Sequence, residues 1–231
     1  MNINSTPYPT TNFKARQIAR AVIKGVPAQK PIELYSLHSA DKEFCLDLID
    51  KLDLKKLYPN LKDYDGFGAW RTIITSGLLM TGTQNVILAV KDKRPCGVMS
   101  YNEEGYQAHL SYLAKWRPKP DEDVSYVGKV LMHHLFDYAD REGLWNINLI
   151  ASNGTPRGKD CRDFYHEFGF RRSANNSMNL LGINYAQKAK QLEDLFEYEE
   201  IRKAPDIDAK KKFNISFKPT IFEQIKKIFH I

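Results

Sequence analysis

Cysteine is scarce in this chain. Cys45, Cys96 and Cys161 are odd in number, far apart and without a Cys-x-x-Cys pair, so neither a disulfide framework nor a thiolate zinc site is expected. Long apolar runs are missing as well: no stretch approaches the roughly 20 apolar residues that span a bilayer. Near the amino terminus Lys14, Arg16 and Arg20 interrupt any run resembling a secretory leader, and a reducing, cytoplasmic setting is expected. Strong charge of one sign is also lacking. The 34 Lys and Arg against 28 Asp and Glu give a net charge of +6, a mild excess that suits anionic ligands such as nucleotides and by itself selects neither RNA nor an acidic membrane. There is no internal repeat, and low complexity is confined to the three lysines at 210–212.

What the 231 residues do contain is 42% hydrophobic and 12% aromatic side chains, ample for one substantial core with appendages. Residues 1–31, with Pro7, Pro9, Pro27 and Pro31 around an amphipathic patch (Phe13, Ile18, Val22, Ile23), are expected to be a loose arm. Residues 32–37 suit a strand. Ser39 could cap a following helix carrying Phe44, Leu48, Ile49 and Leu52 on one side. Trp70, Ile73, Ile74 and Leu78 recur at helical spacing over 66–80. Strands are expected at 86–91, 97–101 and 107–115, joined by turns at 92–95 and 102–105, which makes an antiparallel meander.

A turn rich in Pro and acid (116–125) leads into a helix over 127–141, with Gly143 placed as its carboxyl-terminal cap. An apolar strand at 146–151 follows. Strand, helix, strand implies a crossover and a parallel pair. A polar loop (152–159), a short helix (160–168) ended by Gly169 and a strand at 178–181 complete the set. Asn184 with Gln187 suggests a capping box for a charged helix to about 203, then a linker at 205–212, and Thr220 with Glu223 opens a last helix. The expected class is α+β, a mixed and mostly antiparallel central sheet flanked by helices. Its units are an arm (1–31), a main domain (32–183) and a helical extension (184–231).

The functional reading centres on the passage from the 107–115 strand to the helix at 127. A helix beginning beside a strand end offers free backbone N–H groups at the positive end of its dipole, which suits a pyrophosphate. The string Asp163-Phe164-Tyr165-His166-Glu167-Phe168-Gly169-Phe170 and the passage Val127-Gly128-Lys129-Val130-Leu131 resemble motifs of the GNAT superfamily of acyl-CoA-dependent N-acetyltransferases. The first is similar to its Tyr-x-x-x-Gly-Phe. The second is similar to its Arg/Gln-x-x-Gly-x-Gly/Ala, with Ser125 and Val130 at the flanking positions. The resemblance covers roughly 32–181.

It implies a GNAT-like fold with acetyl-CoA as co-substrate and an amine as acceptor, acetylated by direct attack in a ternary complex. It places the pantetheine arm along Leu113, Ala114 and Lys115. The pyrophosphate falls on the amides of Tyr126, Val127, Gly128, Lys129 and Val130, with Arg117 and Lys119 in the turn to help. Asn153 is similar to the family's Asn after the fifth strand. Tyr165 corresponds to the family's acid, and a phenol near ~10 donating to a thiolate near ~8.5 runs uphill by roughly 2 kcal/mol, so a hydrogen bond is as reasonable as full transfer. His109 lies at the offset where histone-acetylating relatives carry a base. Near ~6.5 it would be mostly neutral and able to accept a proton; a satisfied sheet histidine is the plainer reading. His133 and His134 are adjacent on a helix and point to different faces, and no metal is expected.

Two other readings stay open. One is a non-catalytic acyl-CoA-binding or interaction protein on the same fold. The other is an RNA-linked acetyltransferase, suggested by basicity and by Trp70, Tyr112 and Trp116. The last helix would bury Ile221, Phe222, Ile225, Ile228 and Phe229 on its own sheet, in a homodimer, or on an anionic membrane aided by Lys210, Lys211, Lys212, Lys218, Lys226 and Lys227.

Overall fold

The computed structural model describes residues 14–26, 29–61, 66–151, 161–182 and 185–216. Ten strands form one sheet: β1 (Ala15–Ile23), β2 (Ile32–Leu37), β3 (Asn85–Lys91), β4 (Arg94–Glu104), β5 (Gln107–Lys115), β6 (Asn146–Ile150), β7 (Arg171–Arg172), β8 (Ser177–Leu181), β9 (Phe196–Glu200) and β10 (Asp206–Ile207). Their order is β10-β1-β2-β3-β4-β5-β6-β8-β7, with β9 also on β1. Every pairing is antiparallel except β5 with β6. A parallel pair needs a crossover, supplied here by α4 (Val127–Arg141). The expected α+β class, with its meander and its single parallel neighbour, is what the chain adopts.

Apolar side chains alternate along the central strands and so feed two layers. Met99, Tyr101, Ala108 and Leu110 face α4 and α6 (Tyr185–Leu192), while Val86, Leu88, Val98 and Ala114 face the opposite side. That second layer holds α1 (Lys42–Lys51), α2 (Leu54–Leu57) and α3 (Phe67–Leu79). Among the described residues no helix is long and apolar enough to cross a membrane.

Several expectations need correcting. Residues 15–23, read as part of a loose arm, form β1, which pairs with β2, β9 and β10. Its buried positions include Ala15, Ala19 and Ala21. Alanine is a weak strand former, and flanking prolines hid the alternation. The charged helix expected to run to about 203 stops at Leu192, because Phe196 and Tyr198 alternate with Glu197 and Glu199 and add β9 to β1. The expected linker holds β10 and α7 (Ala209–Lys212), after which Phe213 packs on Tyr35 and Phe44. Ser39 caps no helix; residues 39–41 are a 3-10 turn, and His38 N–H donates to Asp41 Oδ2 at 3.0 Å. The turn at 92–95 shrinks to Asp92 and Lys93, both with positive φ as a two-residue hairpin requires. The helix expected from Thr220 lies outside the described residues.

One glycine sets how closely α4 approaches the sheet. A Cβ on Gly97 would lie 2.6 Å from Val127 Cγ1 and 3.2 Å from the Ala114 carbonyl oxygen. Only a bare backbone on β4 lets the first turn of α4 sit this near to β5. At its far end α4 stops where Gly143 takes φ +65, as expected of a residue just past a helix end. In the middle of α4, His133 and His134 are both buried. His133 Nε2 is 3.3 Å from Glu193 Oε1, and His134 Nδ1 is 3.2 Å from Tyr198 Oη. Burial, reinforced by Arg141 and His133, holds His134 down at about 4. Burial likewise lowers His133, against the pull of Glu193.

Gly97→Ala should therefore cost about 1–3 kcal/mol through overpacking, read as a lower midpoint in urea unfolding. Acid should also weaken the fold. Below about 6.5 the unfolded chain binds a proton that folded His134 refuses until about 4, so stability falls with pH across that window, by on the order of 3 kcal/mol. Comparing His134→Gln with the wild type at pH 7 and pH 4 should show a shallower loss in the variant.

Candidate functional site

The two parallel strands do not stay together. β5 and β6 are paired from Gln107–Asn146 to Leu110–Leu149, and there the register ends. Beyond that point β5 keeps its partner β4, up to Lys115 opposite Gly97. β6 follows β8 instead, and Ala151 N–H donates to Asn176 O at 2.8 Å. The parting coincides with a bulge. Tyr112 opposes Ser100 and Leu110 opposes Tyr101, so Ser111 has no opposite residue. A bulge bends its strand and increases the local twist, which carries the second half of β5 away from the line of β6.

The open edge has a definite polarity. Trp116 N–H donates to Cys96 O at 2.9 Å. By the alternation of an antiparallel ladder, Ala114 and Tyr112 then also turn their backbone groups to β4, and Leu113 and Lys115 turn theirs to the open side. Among the described residues no strand pairs with that edge. Of the three positions expected to meet a pantetheine arm, Leu113 and Lys115 can offer main-chain groups there. Ala114 offers only a small buried side chain on the far face.

At the end of the wedge α4 begins. Val130 N–H is already bonded to Tyr126 O (2.9 Å) and Val127 N–H to Val124 O (3.2 Å). Those two amides are spent on the protein's own carbonyls, contrary to their expected part in a phosphate cradle. The amides of Tyr126, Gly128 and Lys129 have no acceptor among the described residues, as the first turn of a helix dictates. Gly128 has a packing reason as well: a Cβ there would meet Phe164 Cζ at 3.2 Å. Lys129 Nζ is 3.4 Å from Glu167 Oε2. Through these contacts α5 (Cys161–His166) is pinned against the first turn of α4.

Tyr165 follows Phe164 on α5 and rests against Phe164 and Phe170, with ring centroids 5.3 and 5.7 Å away. Burial, and then the neighbouring Cys161, push its phenol above the ordinary tyrosine range. It stays neutral. Asn153 and the loop that holds it lie outside the described residues. Arg117 and Lys119 are engaged elsewhere. The Arg117 guanidinium lies over the Tyr58 ring at 4.9 Å and the Arg117 backbone N–H donates to the Tyr58 hydroxyl, while Lys119 pairs with Glu122 at 3.5 Å.

His109 lies within the paired part of β5, two residues before Ser111 (about 7 Å). Ala108 and Leu110 belong to the α4 layer, so His109 projects from the other face and does not meet Tyr165 directly. Its Nδ1 is hydrogen-bonded to the Asn148 carbonyl oxygen Oδ1. The amide nitrogen of Asn148 in turn donates to Gln107 Oε1 at 3.3 Å, which also accepts from Asn146 Nδ2 at 3.0 Å. An amide oxygen against Nδ1 calls for a proton on that nitrogen. Residue-by-residue reading overlooked Gln107, Asn146 and Asn148. Their signal was available as polar residues two apart on each of two otherwise apolar strands.

The aromatics that suggested RNA form no stacking surface. Trp116 is fully buried, Trp70 packs on Phe67 and Tyr58, and Tyr112 lies under α3 at Gly77.

No family model matches the sequence, and no curated protein matches it. Solved structures do. The PaiA N-acetyltransferase of Thermoplasma acidophilum, in complex with coenzyme A, aligns over 64% of this chain and 96% of its own at 16% identity and a TM-score of 0.43. A GCN5-related N-acetyltransferase of Rhodopseudomonas palustris aligns over 64% and 94% at 17% identity and 0.44. The ribosomal-protein-S18-alanine N-acetyltransferase of Escherichia coli aligns over 65% and 93% at 12% identity and 0.42. In fold the chain is similar to N-acetyltransferases of the GNAT superfamily.

Proposed function

We propose that the protein is an N-acetyltransferase that moves an acetyl group from acetyl-CoA to an amine. The observation that carries this reading is the wedge between β5 and β6, with the helix-start amides of Tyr126, Gly128 and Lys129 that have no acceptor among the described residues, and α5 seated on Gly128 through Phe164, the neighbour of Tyr165. An extended, amide-bearing arm can add to the open edge at Leu113 and Lys115 as a short extra strand does. Its pyrophosphate then reaches the helix start.

In this reading the acetyl carbonyl lies near Ser111, where the strands part. The arm enters from the α4 side, and the amine approaches from the side of His109. The amine nitrogen attacks the carbonyl carbon, the C–S bond breaks, and the electron pair leaves with sulfur as coenzyme A. An amine near pKa ~10 must first lose its proton. His109 Nε2 accepts it, through water given the spacing, while Asn148 and Gln107 hold the ring in that tautomer. Tyr165 steadies the departing sulfur with a hydrogen bond; its raised pKa makes outright proton donation less favourable than for an ordinary phenol.

Purified protein incubated with acetyl-CoA and a panel of amines should release free thiol in step with amide formation. Coenzyme A binding without thiol release would leave a binding protein instead. Tyr165→Phe should cut kcat roughly a hundredfold with coenzyme A affinity unchanged. Asn148→Ala should lower kcat by about tenfold, and imidazole nitrogen NMR should then show His109 leaving its single Nδ1–H tautomer.

A further inference from the structure

The turn before α4 is held from inside by two ammonium groups. Lys91, at the end of β3, has a side chain only 3% exposed; its Nζ donates to Asp123 O at 2.8 Å and pairs with Glu122 Oε1 at 2.9 Å. Lys115, at the end of β5, donates to Val124 O and to Ser125 O, both at 3.2 Å. Three successive carbonyls are thus drawn toward the sheet. In a trans peptide the C=O of one residue and the N–H of the next point in opposite directions. The amides of Val124, Ser125 and Tyr126 are therefore turned away from the lysines. Ser125 N–H is caught by Asp123 Oδ1 at 2.9 Å, which closes the turn on itself, while Tyr126 N–H joins those of Gly128 and Lys129 at the helix start.

A buried lysine is costly, and most turns are fixed by short side chains of their own. Asp123 does that work locally, with Gln29 Nε2 adding 3.3 Å to its other oxygen. What Lys91 and Lys115 add is the direction of the carbonyls. Lys115 also sets positive charge beside the turn, whereas the charge of Lys91 is offset by Glu122.

We propose that Lys91 and Lys115 are positioning residues for a phosphate-binding turn: by gripping the carbonyls of Asp123, Val124 and Ser125 they turn the Tyr126 amide toward the diphosphate of the acyl donor, beside the helix-start amides of Gly128 and Lys129. This rests on the acetyltransferase reading above. It also makes the turn selective for the nucleotide half of coenzyme A, because the pantetheine half meets β5 rather than the turn.

The test compares the affinity of wild type, Lys91→Met and Lys115→Met for coenzyme A and for pantetheine, which lacks the diphosphate, by calorimetry. The wild type should prefer coenzyme A. Each variant should lose about tenfold in the ratio of its coenzyme A affinity to its pantetheine affinity. A general loosening of the fold would weaken both ligands together and so would not change their ratio. An unchanged ratio in both variants overturns the proposal. Should Lys91→Met fail to fold, Lys115→Met, whose site is more exposed, decides by the same criterion. A wild type that binds no coenzyme A strikes the acetyltransferase reading instead; one that binds it, with both variants like it, strikes only the lysine clamp.

Discussion

The structure depends on one constraint: β5 cannot follow both of its neighbours beyond Leu110. On one side β4 stays paired with it past the bulge, to Gly97, and on the other β6 is bound to β8. With an extra residue at Ser111 the strand bends, and loyalty to β4 opens a gap on the β6 side. Each strand is satisfied on one edge, so the gap costs only the hydrogen bonds of a few residues. Those unspent groups are what give the cleft its chemistry.

The surroundings of the gap are built to keep it short and fixed. Gly97 admits the first turn of α4 close to the sheet, and Gly128 admits Phe164 close to α4. Two positions without a Cβ thus bring the amide-rich helix start and the α5 tyrosine to the same end of the wedge. Lys91 and Lys115 tie the intervening turn to the ends of β3 and β5. The turn is long and rich in Pro and acid, yet its backbone is held by side chains anchored in the sheet.

Polar groups on the two faces are kept apart by the same strand geometry. Tyr165 lies on the α4 side, in apolar company that keeps its phenol neutral. His109 and its amide neighbours lie on the opposite face, where β6 and β8 carry Asn148 opposite Asn179. In the proposed transfer Tyr165 would meet the acyl donor from one face of the sheet and His109 the amine from the other.

Much of this was legible in the amino-acid order, because local signals agree with the tertiary outcome over 32–181: the period-two strands, the 127–141 helix, Gly143 and Gly169 all sit where short-range sterics put them. The candidate tyrosine and the glycine at the helix start came from strings, and strings are local. The bulge at Ser111 was not legible, since an unpaired residue exists only relative to β4. The same holds for β1 and β9, whose alanines and glutamates look weak alone and become strands by pairing with each other. Sequence by itself determined the central meander, the 127–141 helix and which residues carry reactive groups, because those follow from side-chain type and spacing. Tertiary structure alone decided where two strands separate, which amides find no acceptor among the described residues and which side chain meets His109 Nδ1, because each depends on a partner distant in the chain.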